Sequence, residues 1–321
     1  MSAVRRLAFL LAATLVVAAL PSMALASGGE GGAAAPPAGG GGGGALYAPH
    51  VRGPAKPKRH KRRRRHRKRG RGPLLASFRL TSARLFLFGR PAGVRFRIDS
   101  RSRTVNVRLY LRRAGGGKPV STIRLGARRT GVGQSYLLTG RENGVVPQGS
   151  YVLRIAARDA RGRGLRRSAS SSSVAELGFF HHRFPLAGPF SYGGPDARFG
   201  ARRKGHRHQG QDLLAASGTP IVAPRGGTIT TVAYQRDGAG NYAVLDGAGE
   251  TRNYVFMHMK TGTVVAHEGQ HVRTGQRIGE VGATGDAEGP HLHFEVWAGP
   301  WYAGGHPIDP LPLLRAWDRW S

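Results

Sequence analysis

Between Leu75 and Ala169 apolar and polar residues alternate with a period of two. Val94, Phe96 and Ile98 interleave with Arg95 and Arg97. Val105, Val107, Leu109 and Leu111 interleave with Asn106, Arg108 and Tyr110. Tyr151, Leu153, Ile155 and Ala157 interleave with Val152, Arg154 and Arg158. That period puts each set on its own face of a strand, so these runs predict antiparallel strands with one buried face and one wet, basic face. Gly115-Gly116-Gly117, Glu142-Asn143-Gly144 and Pro147-Gln148-Gly149 supply the turns. About seven short strands in roughly 95 residues suit a small β-sandwich, placed here at residues 74–176. No catalytic constellation stands out in it, so a spacer or contact role is expected. The serine run from Ser168 to Ser173 reads as a flexible joint.

A second strand pattern, near the end of the chain, carries chemistry. In His291-Leu292-His293-Phe294-Glu295-Val296, both histidines fall on one face and Leu292, Phe294 and Val296 on the other. Two imidazoles side by side next to Phe294 are unfavourable unless a metal or strong hydrogen bonds satisfy them. Upstream, His208 and Asp212 are four apart. Gly205 and Gly210 argue against a helix there, since glycine costs roughly 1 kcal/mol in a helix interior, so a turn or strand edge is expected. These residues together could bind one zinc ion and leave a coordination position open. Glu295 shares the parity of the two histidines and is either a partner orienting an imidazole or a strand-end surface carboxylate. Trp297, Trp301 and Tyr302 either wall a groove or simply pack. Leu311 to Trp320 reads as a short amphipathic helix. His206, His181, His182, His267, His271 and His306 read as surface residues, and His60 and His66 belong to a basic run.

The landmarks from Phe184 onward resemble the lysostaphin/LytM-type zinc metallopeptidases, a family of peptidoglycan endopeptidases. Those landmarks are Phe184-Pro185-Leu186-Ala187-Gly188, Phe199-Gly200-Ala201-Arg202, His208-x-x-x-Asp212, and Gly218-Thr219-Pro220-Ile221-Val222-Ala223-Pro224. Gly240-Asn241-Tyr242, Tyr254 to Met259 with His258, Gly269-Gln270-His271-Val272, Gly275 to Gly279 and His291-x-His293 follow in order. The resemblance covers just under half the chain. It implies a C-terminal antiparallel, barrel-sandwich-like β-sheet domain at residues 177–321. It implies that His208, Asp212 and His293 bind one Zn²⁺, that His291 carries the water's proton, and that His258 stabilises the oxyanion or orients the water. Where the family often has Tyr and Leu around the middle histidine, this chain has Phe256 and Met259. In the sandwich at residues 74–176, the segment from Gly149-Ser150-Tyr151 to Arg158-Asp159-Ala160 resembles the last hairpin of immunoglobulin-like or fibronectin-like modules.

Composition narrows the rest. The absence of cysteine excludes thiolate zinc ligands, a cysteine nucleophile and an iron–sulfur site. Net charge is +33, from 50 Lys+Arg against 17 Asp+Glu, which predicts anionic partners. Residues 1–26 read as a secretory signal: Arg5 and Arg6, an apolar run from Leu7 to Leu20, and Ala24-Leu25-Ala26 as the cleavage site. The other reading of this stretch is a retained anchor. Residues 27–73 read as a Gly-rich and then Lys/Arg-rich disordered linker. Its basic run suits anionic wall polymers or anionic lipid, while the leader and the lack of interleaved aromatics argue against nucleic acid. The expectation is an all-β protein of the cell envelope or extracellular space. Its substrate would be peptidoglycan peptide, with a catalytically silent wall-hydrolase activator, a wall-binding structural protein and a protease of other proteins as the alternatives. Scissile bond and oligomeric state are not legible.

Overall fold

The computed structural model describes residues 71–321. The expected leader at 1–26 and almost all of the expected linker at 27–73 lie outside the described residues. The described chain falls within one compact unit, His66–Ser321, and is nearly all β.

The first nine strands are β1 (Leu74–Leu80), β2 (Arg84–Phe86), β3 (Ala92–Asp99), β4 (Thr104–Arg113), β5 (Gly116–Arg129), β6 (Gly133–Leu138), β7 (Gly149–Arg158), β8 (Arg166–Arg167) and β9 (Val174–Phe180). They form a four-stranded sheet, β6-β3-β1-β8, and a five-stranded sheet, β2-β9-β7-β4-β5. The period-two pattern decides what lies between them. Val94, Phe96 and Ile98 from one sheet and Val107, Leu109, Leu153 and Ile155 from the other join one buried core. The alternating arginines face solvent. The serine run leads into β9, which pairs with β7 and β2. β9 runs through position 176/177, so this pair of sheets extends to Phe180.

The remaining strands are β10 (Gln211–Leu214), β11 (Pro220–Val222), β12 (Gly227–Gln235), β13 (Gly240–Gly247), β14 (Arg252–Met259), β15 (His271–Val272), β16 (Arg277–Glu280), β17 (His291–Ala298) and β18 (His306–Ile308), followed by helix α1 (Leu311–Asp318). The main sheet has the order β10-β17-β14-β13-β12-β15, with β18 following β10 along the same edge of β17, and β11 pairs with β16. Leu213, Ile229, Leu245, Tyr254, Phe256, Leu292, Phe294 and Val296 fill one side of this sheet, closed by Leu314 and Trp317 of α1. The other side carries the polar chemistry.

The two cores meet through buried polar and aromatic contacts. The Thr274 hydroxyl accepts from Gly226 N at 2.8 Å and donates to the Leu87 carbonyl. Phe180 stacks on Trp320 at 5.2 Å, and the Phe88 ring lies 4.9 Å from the guanidinium of both Arg141 and Arg225.

Candidate metal centre

Strand register brings the first two ligand candidates together. β10 pairs antiparallel with β17, with Asp212 opposite His293 and Leu214 opposite His291. Directly opposite residues share a face, so the carboxylate meets the imidazole without help from a loop. His208 arrives from the turn before β10, which two backbone bonds hold: His208 N to Ala201 O at 2.9 Å and Gly200 N to His208 O at 2.8 Å. Gly210 allows the close approach. A Cβ there would lie 2.6 Å from the Phe294 carbonyl oxygen and 2.8 Å from His293 Nε2. The turn or strand edge expected for this pair is thus both: His208 on the turn and Asp212 on an edge strand. His208 Nε2 lies 3.0 Å from Asp212 Oδ1 and 2.9 Å from His293 Nδ1, and His293 Nδ1 lies 3.0 Å from Asp212 Oδ1.

The middle histidine reaches the site through a bulge. Asn241 faces Met259 and Ala243 faces Phe256, so Met257 and His258 share the place opposite Tyr242. The extra residue re-aims a side chain, as bulges do. His258 adopts φ 61°, a left-handed conformation that costs a non-glycine residue of order 1 kcal/mol or more. Its ring lies 4.7 Å from that of His291 and 5.9 Å from that of His293. His291 Nε2 is 3.7 Å from Asp212 Oδ1. The five residues singled out in the sequence therefore stand in one cluster.

Each imidazole has its outward nitrogen occupied. His208 Nδ1 contacts the Arg198 carbonyl at 2.8 Å, His258 Nδ1 the Thr284 carbonyl at 2.8 Å, and His291 Nδ1 the Gly289 carbonyl at 2.9 Å. His293 Nε2 contacts Glu295 Oε1 at 3.0 Å. A carbonyl only accepts, so in those three rings Nδ1 carries a hydrogen and Nε2 is the nitrogen turned inward. At His208 that nitrogen donates to Asp212, and His293 is reversed, its inward Nδ1 donating to Asp212; a bound cation would take both lone pairs in place of those protons.

Electrostatics favour a cation at this point. Burial works against the carboxylate of Asp212, but hydrogen bonds from His208 and His293 hold it well below the usual range. Burial alone would lower His293, yet Asp212 and Glu295 accept from both its nitrogens and raise it to about 9. A position that holds a proton so firmly between two carboxylates stabilises positive charge. His258 is pushed the other way, down to about 4, first by burial, against the hydrogen bond to Thr284, and by its histidine neighbours. It is a neutral ring at physiological pH. His208, Asp212 and His293 can hold a metal ion, their ligand atoms all lying within 4.8 Å of one another. Nitrogen, nitrogen and carboxylate oxygen fit zinc, with a fourth position left over.

Two supporting groups complete the arrangement. Glu295 is 2% exposed; its second oxygen accepts from the Trp297 indole at 2.7 Å. Of the two readings of Glu295, it is the buried partner of an imidazole, and Trp297 packs beside it. Arg203, which nothing in the linear pattern marks, reaches Asp212 Oδ2 at 3.1 Å and the Asp196 carbonyl at 2.7 Å. Only the fold of the turn reveals it. Among the other histidines, His206, His267, His271 and His306 are exposed. His182 departs from its expected surface position. It is buried, stacked on Trp317 at 4.9 Å and bonded to Glu250 at 3.0 Å.

The site is thus a His–Asp–His cluster able to hold a cation, flanked by two further imidazoles on one face of an antiparallel sheet. Residues 206–310 match Peptidase family M23, and this part of the chain belongs to that family. The chain is 36% identical over 143 residues to a protein named "Uncharacterized metalloprotease" from Haemophilus influenzae, covering 43% of this chain and 28% of that one. It is 32% identical over 113 residues to lysostaphin of Staphylococcus simulans, 35% of this chain and 22% of that one. It is 36% identical over 104 residues to peptidoglycan DD-endopeptidase ShyA of Vibrio cholerae, 32% of this chain and 22% of that one. The chain therefore spans about a quarter of the length of these curated relatives. Among solved structures, the catalytic domain of lysostaphin from Staphylococcus simulans is similar at 29% identity, over 37% of this chain and 89% of that one, with a TM-score of 0.34.

Proposed function

We propose that this protein is a secreted zinc metallo-endopeptidase of the cell envelope that hydrolyses peptide bonds in peptidoglycan cross-links or stem peptides. The observation that carries the reading is the convergence of His208 Nε2, Asp212 Oδ1 and His293 Nδ1 within 3.0 Å of one another, beside two more imidazoles whose lone pairs point inward. Relatives named as peptidoglycan DD-endopeptidases support the substrate class, and relatives including cell division protein DipM of Caulobacter vibrioides support an envelope location.

In this reading His208, Asp212 and His293 hold one Zn²⁺. Zinc supplies Lewis acidity that makes water nucleophilic near neutral pH. His291, its Nδ1–H anchored on Gly289, presents a bare Nε2 that takes the proton of the attacking water and returns it to the leaving amine. His258, anchored on Thr284, likewise presents an acceptor. It orients the water, and stabilises an oxyanion only after gaining a proton. Arg203 occupies the second oxygen of Asp212 and leaves Oδ1 for the metal. The open sheet face suits an extended peptide. We read the two-sheet sandwich ahead of the peptidase sheet as a separate domain, and the basic run at residues 56–72 as a tether to anionic wall polymer. A silent activator of another wall hydrolase would be expected to have lost ligands, and this chain retains all three.

The test is mass spectrometry of muropeptides after digestion of purified peptidoglycan, with and without a chelator and after zinc is restored. Zinc-dependent appearance of a single new peptide cleavage is expected. An unchanged muropeptide profile with zinc-loaded protein refutes the proposal.

A further inference from the structure

Positive charge is unevenly placed along the chain. Residues 71–180 carry 22 Lys/Arg against 4 Asp/Glu, whereas residues 181–321 carry 14 against 12. The peptidase half is close to neutral and the sandwich is strongly cationic. Lys118 is the one lysine among those 22. Arginine differs from lysine in presenting a rigid fork of donors that matches phosphate and carboxylate.

Strand register concentrates four of these arginines. Arg108 on β4 stands directly opposite Arg124 on β5. β7 places Ala156 opposite Arg108, so Arg154 and Arg158 occupy its two diagonals. Opposite neighbours in a sheet lie roughly 5 Å apart and diagonal ones about 7–8 Å. All four are exposed, while Val107, Leu109, Leu153, Ile155 and Ala157 between them are buried. Among the described residues none of the four is in an ion pair; the ion pairs of this half are Arg97–Asp99 and Arg163–Asp159. Arg158 gives one nitrogen to the Gly162 carbonyl at 2.9 Å. Like charges directly opposite each other weaken a sheet, and a counter-charge on this face removes that cost.

We propose that the outer face of the five-stranded sheet, with Arg108, Arg124, Arg154 and Arg158 around Tyr110, binds a linear, base-free phosphodiester polymer of the cell envelope. Each phosphodiester unit carries its charge on two unesterified oxygens, whose lone pairs accept guanidinium forks arriving from neighbouring strands, such as those of Arg108 and Arg124. Tyr110 is the aromatic side chain of this arginine cluster and is only half-exposed. The arginine cluster therefore lacks the row of stacking platforms that single-stranded nucleic acid uses; Phe86 and Phe180, toward the other edge of this sheet, pack on each other, and Phe180 stacks on Trp320. The envelope source follows from the proposed location, but the binding itself does not depend on peptidase activity.

The experiment compares two triple variants of the full chain with equal loss of charge. Arg108→Gln/Arg124→Gln/Arg154→Gln changes the face. Arg236→Gln/Arg273→Gln/Arg319→Gln removes three exposed arginines from the peptidase half. Binding to poly(glycerol phosphate), oligothymidylate and polyglutamate is measured across salt concentrations. At roughly 0.7 of slope per lost contact with a flexible polyanion, the face variant should lose about 2 from the log K against log salt slope for poly(glycerol phosphate). The control should lose less than half a unit. Equal losses in both variants overturn the proposal in favour of bulk charge. Face-dependent binding of oligothymidylate or polyglutamate as tight as that of poly(glycerol phosphate) overturns the base-free phosphodiester assignment. Folding is checked in the same samples: relief of the Arg108/Arg124 repulsion should leave the face variant's Tm equal to or above that of the parent. If the triple variant melts lower, the single variant Arg124→Gln carries the binding test.

Discussion

Glu295→Gln isolates the group that orients the imidazole of His293, one of the three proposed metal ligands. One carboxylate oxygen accepts from His293 at 3.0 Å and the other from the Trp297 indole at 2.7 Å, with the side chain 2% exposed. Glutamine keeps the shape but turns one acceptor into a donor. Whichever way the amide is placed, one of the two hydrogens meets an NH2 group and loses its partner. A hydrogen bond to a charged group is worth about 1.5–3 kcal/mol, and loss of such an outer partner typically weakens metal binding about 10- to 100-fold. At about 1.4 kcal/mol per tenfold, the two ranges agree. The expected outcome is a zinc Kd raised about 10- to 100-fold, measured by competition with a calibrated chelator and so independent of catalysis. Trp297→Phe removes only the outer donor and should weaken zinc by less than Glu295→Gln. A Kd for Glu295→Gln within twofold of the parent refutes the assigned role. So would a larger effect from Trp297→Phe.

Further expectations follow from the same geometry. His208→Ala should abolish both zinc binding and peptidoglycan cleavage, whereas His291→Ala should retain zinc while losing roughly 10²- to 10⁴-fold in kcat; loss of zinc from His291→Ala would move that residue among the ligands. Because His258 holds φ 61°, His258→Gly should be more stable than His258→Ala by about 1 kcal/mol, read from denaturant unfolding; the opposite order would show that no strain resides there. His182 is lowered by burial more than its bond to Glu250 raises it, and Glu250 is itself held low by His182 and Tyr254 despite burial. In both cases the unfolded chain binds the proton first, so stability is full above about pH 6.5 and falls as pH drops, first from His182 and then, below about 4.5, from Glu250. His182→Gln removes the first ionisation, and its Tm should change less than that of the parent between pH 7.5 and 5. Parallel curves would refute the assignment.

Much of this protein was legible in its linear pattern, because strand burial depends on a local period of two. Val94, Phe96 and Ile98 are buried and Arg95 and Arg97 exposed for the reason their alternation implies. The same parity put His291, His293 and Glu295 on one face and Leu292, Phe294 and Val296 in the core. Histidine spacing and motif order sufficed to single out all five members of the cluster. Other features depended on contacts between distant segments. The pairing of Asp212 with His293, the bulge that turns His258 inward and the burial of His182 against Trp317 are consequences of register and packing. So is Arg203 reaching Asp212 across a turn. The serine run reads as a flexible joint by composition; in the fold it ends where β9 begins, and β9 is placed by pairing with β7 and, far upstream, with β2. Composition and periodicity report what each segment prefers. Which carboxylate faces which imidazole, and which nitrogen is left to bind, is decided when the sheet closes and every buried polar group must find its partner.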